Sequence, residues 1–182
     1  MAQAGRADPS SGQYAALNTV IFMGLLLVQF GLGMGMNLFV AITRHHAGAG
    51  AANVVPGVFD SVSWAIAHGP VVLAIHAAFG LAIGVGAIHN FFWNFLWGTR
   101  GTVWATGAAL LAVLAAGFSG GGFLAYDQDV YSLLMALFFG AAMLCYAITV
   151  YLLLRSPEAG KTRRFARSSP RRTGCSRGPR QP

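Results

Sequence analysis

Charge is scarce in this chain. Of its 182 residues only 9% are Asp, Glu, Lys or Arg, whereas 55% are hydrophobic. A soluble domain carries roughly 25% charged residues, so there is too little charge here to coat a water-facing surface. The composition suits lipid as solvent, because lipid lets apolar side chains face outward. Cysteine is equally sparse: Cys145 and Cys175 are the only two, too few for a disulfide framework. There is no Gly-rich phosphate loop, no nucleophile elbow and no recognised zinc-ligand spacing. No carboxylate pair lies inside an apolar run and no charge lies near the centre of one, the usual equipment of pumps and ion-coupled carriers. Inverted repeats are also missing.

What is present is a set of long apolar runs. Crossing roughly 30 Å of hydrocarbon at about 1.5 Å per residue takes about 20 residues, and four runs suffice: about 18–43, 70–93, 103–124 and 130–154. Small residues follow the first run in a pattern resembling a cleavage site, but that run is far longer than a signal peptide's apolar region of about 7–15 residues, so it reads as a membrane helix. Residues 1–17 are small and polar and read as a disordered lead. Between the first two runs, Val58–Ala67 is expected to form a short interfacial helix with Trp64 at headgroup depth. Pro70 suits a first helical turn. An aromatic cluster, Phe91, Phe92, Trp93, Phe95 and Trp97, together with Trp104 beyond the turn, matches an interface belt. The fold expected is all-α: an integral-membrane four-helix bundle, up-down-up-down, with a disordered basic C-terminal tail over 155–182.

Charge sets the expected orientation. Nine of the twelve Lys and Arg residues fall between Arg155 and Arg180. With four crossings, Arg6, Arg100 and this tail share one side, and Arg44, Asp60, Asp127 and Asp129 share the other. Cytoplasmic segments carry the excess of Lys and Arg, which predicts both termini inside a cell (inner) membrane. The basic tail is expected to attract anionic lipid headgroups at about 1 kcal/mol per basic residue near the surface. It lacks the aromatic interleaving or folded module that nucleic-acid binding would need. Cys175 is expected to be a free thiol and Cys145 a packing residue.

Helices in lipid associate through close backbone approach, which small residues four apart allow. Each run has such a pair: Gly31 and Gly35, Gly80 and Gly84, Gly117 and Gly121, Ala136 and Gly140. Polar residues within the runs need partners. Gln29, Gly33 and Asn37 fall on one face of the first helix, and His76 shares a face with Gly80 and Gly84 on the second. Antiparallel neighbours would bring Asn37 and His76 to similar depth in the outer half. Two readings of His76 stand: a structural hydrogen bond, to Asn37, Ser119 or Ser132, or a ligand to b-type haem or a quinone or proton site. For haem, Met34, Met36 or Met135 would be available as a second ligand. His89 reads as interfacial and His68 as a boundary residue. His45 and His46, with Asp60, Asp127 and Asp129, read as solvated loop residues rather than a metal centre.

The stretches HGPVVLAIHAAFGLAIG and GFSGGGFLAYDQDVYSLLMA carry a pattern of His76 then Gly80, and of Gly120 and Gly121 leading to Ser132 and Met135. In this the chain resembles small four-helix bacterial membrane proteins of undetermined function. The resemblance covers most of the apolar region, not the tail, and implies the fold without an activity. The expected role is a non-enzymatic membrane component or accessory subunit, packing with itself or with a larger membrane complex. The alternatives are a haem- or quinone-linked electron-transfer protein using His76, and an oligomeric small-solute transporter or pore.

Overall fold

A computed structural model describes residues 9–40, 43 and 45–155. The described residues are all-helical: α1 (Pro9–Phe39), α2 (Val54–His68), α3 (Val71–Trp97), α4 (Arg100–Tyr126) and α5 (Asp129–Arg155). Within α1, Gln13–Phe39 is long and apolar enough to cross a membrane, as are α3, α4 and α5, each span being 27 residues long. At 1.5 Å per residue such a span is about 40 Å long, more than a hydrocarbon core of about 30 Å requires.

The boundaries differ from the sequence expectation in instructive ways. Part of the supposed disordered lead, residues 9–17, is helical and continues directly into the apolar run. The first helix ends at Phe39 rather than near Thr43. The short helix expected over Val58–Ala67 is present and is longer, over Val54–His68. The aromatic cluster stays inside α3, since no breaker intervenes before Gly98, whose N–H closes the helix on the Asn94 carbonyl at 2.8 Å. Thr99 then caps α4, its hydroxyl accepting from the Thr102 N–H at 3.4 Å. Asp127, left-handed at φ 51°, ends α4, donating its N–H to the Phe123 carbonyl at 2.9 Å. The basic tail beyond Arg155 and the lead before Pro9 lie outside the described residues.

The long helices meet in opposite directions. Phe22 lies against Gly86 and Gly33 against His76, so positions rise along α1 as they fall along α3. Across α1 and α5, Phe22 meets Tyr146 edge-on at 5.2 Å between ring centroids, and Phe30 stacks on Phe139 at 4.7 Å. Across α4 and α5, Gly101 faces Leu152 and Gly122 faces Tyr131. The main core gathers Phe22, Leu26, Ile83, Ala87, Ala109, Val113 and Tyr146. Large apolar side chains also cover the outside, among them Leu27, Val85, Leu111 and Leu144. In water this surface would be a severe liability, and in lipid it is ordinary.

The glycines that matter for packing are only partly those of the four-residue pairs. Gly31, Gly35, Gly84, Gly117 and Gly140 have open space where a Cβ would be, and Ala136 is exposed. Close approach occurs instead in the run Gly120–Gly122. A Cβ at Gly120 would lie 3.3 Å from Met135 Sδ, at Gly121 2.6 Å from Val58 Cγ1 on α2, and at Gly122 2.7 Å from the Tyr131 ring. Three successive positions thus point to different neighbours, and α2 is seated on α4 through Gly121. The buried face of α2, with Gly57, Val58, Ser61 and Ala65, makes that seat.

The connection before α2 is pinned to the same end of α4. Gly50 donates its N–H to the Ala125 carbonyl at 2.9 Å, and the Tyr126 hydroxyl donates to the Ala51 carbonyl at 2.9 Å. Gly48 holds φ +87°, and a Cβ there would come within 2.5 Å of the Gly57 carbonyl oxygen. Both the backbone conformation and the space require glycine at this position.

Candidate functional site

The polar pair inside the bundle is Gln29 on α1 and His76 on α3. The Gln29 Nε2 amide donates to the His76 carbonyl oxygen at 3.0 Å and lies 3.4 Å from His76 Nε2. An amide nitrogen facing a carbonyl has to be the donor, so its second hydrogen points the ring nitrogen toward an acceptor role. That assigns the ring proton of a neutral His76 to Nδ1. Two glycines make room. A Cβ at Gly80 would stand 2.9 Å from Gln29 Nε2, and one at Gly33 would stand 3.0 Å from His76 Cε1. Each helix therefore offers a glycine to the other helix's polar side chain. An interhelical bond of this kind contributes roughly 0.6 to 2 kcal/mol in a bilayer.

The pair is not fully satisfied. Gln29 Oε1 and His76 Nδ1 are both buried and have no hydrogen-bond partner. One is an acceptor and the other, in the tautomer just assigned, a donor. Leaving such groups unpaired costs about 1–3 kcal/mol each in protein interiors.

Asn37 does not join this pair. It is exposed near the end of α1, which stops at Phe39. The register places Gly33, not Asn37, opposite His76, and the early end of the helix leaves Asn37 in its final turn, where polar groups meet the chain terminus rather than the bundle interior. Gln29 and His76 are half-buried and meet each other, whereas Asn37 is exposed. Ser119 is buried on α4 and Ser132 half-buried on α5, and the hydrogen bonds of the His76 side chain and carbonyl run to Gln29 instead.

The same geometry bears on haem. An axial histidine has to present a ring nitrogen to the iron. His76 Nε2 faces the Gln29 amide, and Nδ1 is buried. The methionines do not converge on the ring either. Met34 is exposed, Met36 packs with Ala65 and Leu73, and Met135 lies against Gly120. The residues in place do not fit a porphyrin at His76 without breaking the Gln29 pair. Among the described residues no group of three or more His, Cys, Asp or Glu side chains is arranged to hold a metal ion. His45, His68 and His89 are exposed, and His89 lies 6.3 Å from Trp93 between ring centroids.

A second polar cluster went unread in the sequence. Toward the end of the bundle where α3 meets α4, buried polar residues come from every long helix: Thr19 from α1, Asn90 and Asn94 from α3, Thr102 and Thr106 from α4, and Thr149 from α5. Most of their donors are spent locally. Thr19 donates to the Ala15 carbonyl at 2.9 Å, Thr106 to Thr102 at 2.7 Å and Thr149 to Cys145 at 2.9 Å. Asn94 Nδ2 donates to the Asn90 carbonyl at 2.9 Å. Back-bonding of this kind lets threonine sit in an apolar interior without an interhelical partner. Tyr146, one turn from Thr149, is fully buried and its hydroxyl has no partner. The available signal was Thr and Asn recurring at four-residue steps, Asn90 with Asn94 and Thr102 with Thr106, on helices otherwise poor in polar groups.

No protein-family model matches the chain, and no curated protein or solved structure matches it.

Proposed function

We propose that the chain is an integral membrane protein that crosses a cell (inner) membrane four times, up-down-up-down, with both termini in the cytoplasm. In this reading it acts as a non-enzymatic component or accessory subunit, packed with itself or with a larger membrane complex. The observation that carries the proposal is the pattern of exposure. Four helices long enough to span a bilayer keep large apolar side chains outside, while the polar groups Gln29, His76, Asn90 and Thr106 turn inward and are largely paired. A protein built for water inverts that arrangement. The orientation rests on the Lys and Arg excess in the tail and at Arg100, and the tail is proposed to lie on anionic headgroups. Purification in mild detergent followed by native mass spectrometry tests the subunit reading. A discrete complex, with itself or with a second membrane protein, is expected, and a strictly monomeric chain in gentle lipid-like detergent would overturn it.

One observation favours a second reading. The unpaired Gln29 Oε1 and His76 Nδ1 are an acceptor and a donor within the apolar region, the groups that a quinone or quinol needs, and because both are buried a quinone headgroup has to part α1 from α3 to reach them. Lipid extracts of the purified protein would contain a quinone in near-stoichiometric amount, and the Gln29→Leu variant would lose it. The absorption spectrum answers the haem question directly: a Soret band that disappears in His76→Ala would show that His76 leaves Gln29 to bind iron.

A further inference from the structure

His46 lies in the connection between α1 and α2, away from the Gln29–His76 pair. Its ring is held at both nitrogens. Nδ1 is 2.9 Å from the Ala47 carbonyl oxygen and Nε2 is 3.2 Å from the Leu124 carbonyl oxygen. Both partners are carbonyls, and a carbonyl only accepts. A neutral imidazole has a single N–H, so one contact would set a nitrogen lone pair against an oxygen lone pair. The imidazolium alone donates at both positions.

Two further features suit a positive ring here. Leu124 lies in the last turn of α4, where the unpaired carbonyls and the helix dipole favour a cation. The ring also stacks on Trp64 of α2, with centroids 4.4 Å apart and planes at 17°, and an aromatic face attracts a cation. The contacts join three parts of the molecule: the 46–51 segment, the end of α4 and the face of α2. Among the described residues, the charged and titratable groups around them are few. Asp127, at the end of α4, lines the same open cavity as His46. The Tyr126 hydroxyl is committed to the Ala51 carbonyl. His45, Asp60 and His68, on the connection and α2, and Asp129, on α5, are exposed.

We propose that His46 is a proton-operated latch. Protonated, it fastens the 46–51 segment and α2 onto the end of α4; deprotonated, it loses one of its two bonds and the charge that faces the helix terminus, and the segment loosens. Stability of this cap is therefore present at the acid side and lost as the pH rises. The device senses the pH of whichever compartment faces that end of the bundle, and it does not depend on the proposed subunit role.

Hydrogen exchange on the full chain in detergent tests the latch through the Gly50 amide, which donates to Ala125 within the fastened segment. After correction for intrinsic exchange, its protection at about pH 5 should exceed that at about pH 8, the interval over which histidine changes charge. The difference should be about two- to fivefold, the effect that a helix end has on a nearby cation. His46→Gln should abolish the difference and His45→Gln should retain it. Equal protection at both pH values in the native chain would overturn the proposal, as would a pH response that survives in His46→Gln. Trp64 fluorescence, read with Trp93, Trp97 and Trp104 changed to Phe, gives a second measure that needs no substitution at His46. Emission should fall on acidification as the stacked imidazolium quenches the indole, and a pH-independent emission would contradict the latch.

Discussion

Three adjacent glycines allow the packing of α4 to be tested one neighbour at a time. Replacing Gly120, Gly121 and Gly122 singly by Ala makes the same chemical change at successive positions of one helix. Each replacement should gain about 0.5–1 kcal/mol of helix propensity. What differs is the atom that the new methyl meets. At Gly120 it is Met135 Sδ at 3.3 Å, the flexible part of an adaptable side chain, so a small shift relieves it. Gly120→Ala should be neutral or slightly stabilising. At Gly121 it is Val58 Cγ1 at 2.6 Å, with Val62 Cγ2 at 3.2 Å. Valine is stiff at χ1 and Val58 is buried, so α2 itself has to move. At Gly122 the methyl meets Tyr131 Cδ1 at 2.7 Å and Cε1 at 2.8 Å, which requires the whole ring to turn. Overpacking of this kind costs about 1–3 kcal/mol. After the propensity gain, Gly121→Ala and Gly122→Ala should each lose up to about 2.5 kcal/mol. Reversible unfolding in mixed micelles, titrated with a denaturing detergent, reads these differences. If Gly120→Ala proved the most damaging of the three, or if Gly121→Ala stabilised the protein, the assignment of neighbours would be wrong.

Other outcomes follow from single contacts. A double-mutant cycle with Gln29→Met and His76→Phe should return a coupling energy of about 0.6 to about 1.7 kcal/mol in the same unfolding assay, whereas the same cycle between Asn37→Leu and His76→Phe should return none. Tyr146→Phe removes a buried hydroxyl without a partner and should raise stability by up to about 1–3 kcal/mol; a loss would mean that the hydroxyl is satisfied in the bilayer. Gly48→Ala places a Cβ at φ +87° against the Gly57 carbonyl and should cost more than about 1 kcal/mol, seen as faster proteolysis between α1 and α2 with α3–α5 unchanged.

The long helices were legible in the sequence because hydrocarbon thickness and helical rise fix how many apolar residues a crossing needs. Helix ends were less legible. Phe91–Trp97 reads as a boundary cluster, yet aromatic residues continue a helix until a breaker arrives, here Gly98. Residues 9–17 are polar enough to suggest a coil, but they adjoin a strongly helical run and extend it. The polar pair was half visible. Periodicity put Gln29 and His76 on glycine-bearing faces, but depth alone pointed to Asn37, because the register between α1 and α3 depends on where α1 ends. The contact glycines could not be told from the lipid-facing ones by spacing: Gly31 and Gly35 have the favoured step and no neighbour, while Gly33 touches His76. The His46 contacts join residues far apart in the chain, so nothing in the local sequence announces them.

Four crossings, with the α1–α2 and α4–α5 connections proposed on one side and the α3–α4 connection on the other, can be checked by cysteine labelling in intact cells. In a background of Cys145→Ser and Cys175→Ser, single Asn53→Cys, Thr99→Cys and Gln128→Cys variants would be treated with a membrane-impermeant maleimide. Asn53→Cys and Gln128→Cys should be labelled from outside, and Thr99→Cys only after permeabilisation. Labelling of Asn53→Cys and Thr99→Cys from the same side, or recovery of the native chain in the aqueous fraction, would contradict this arrangement.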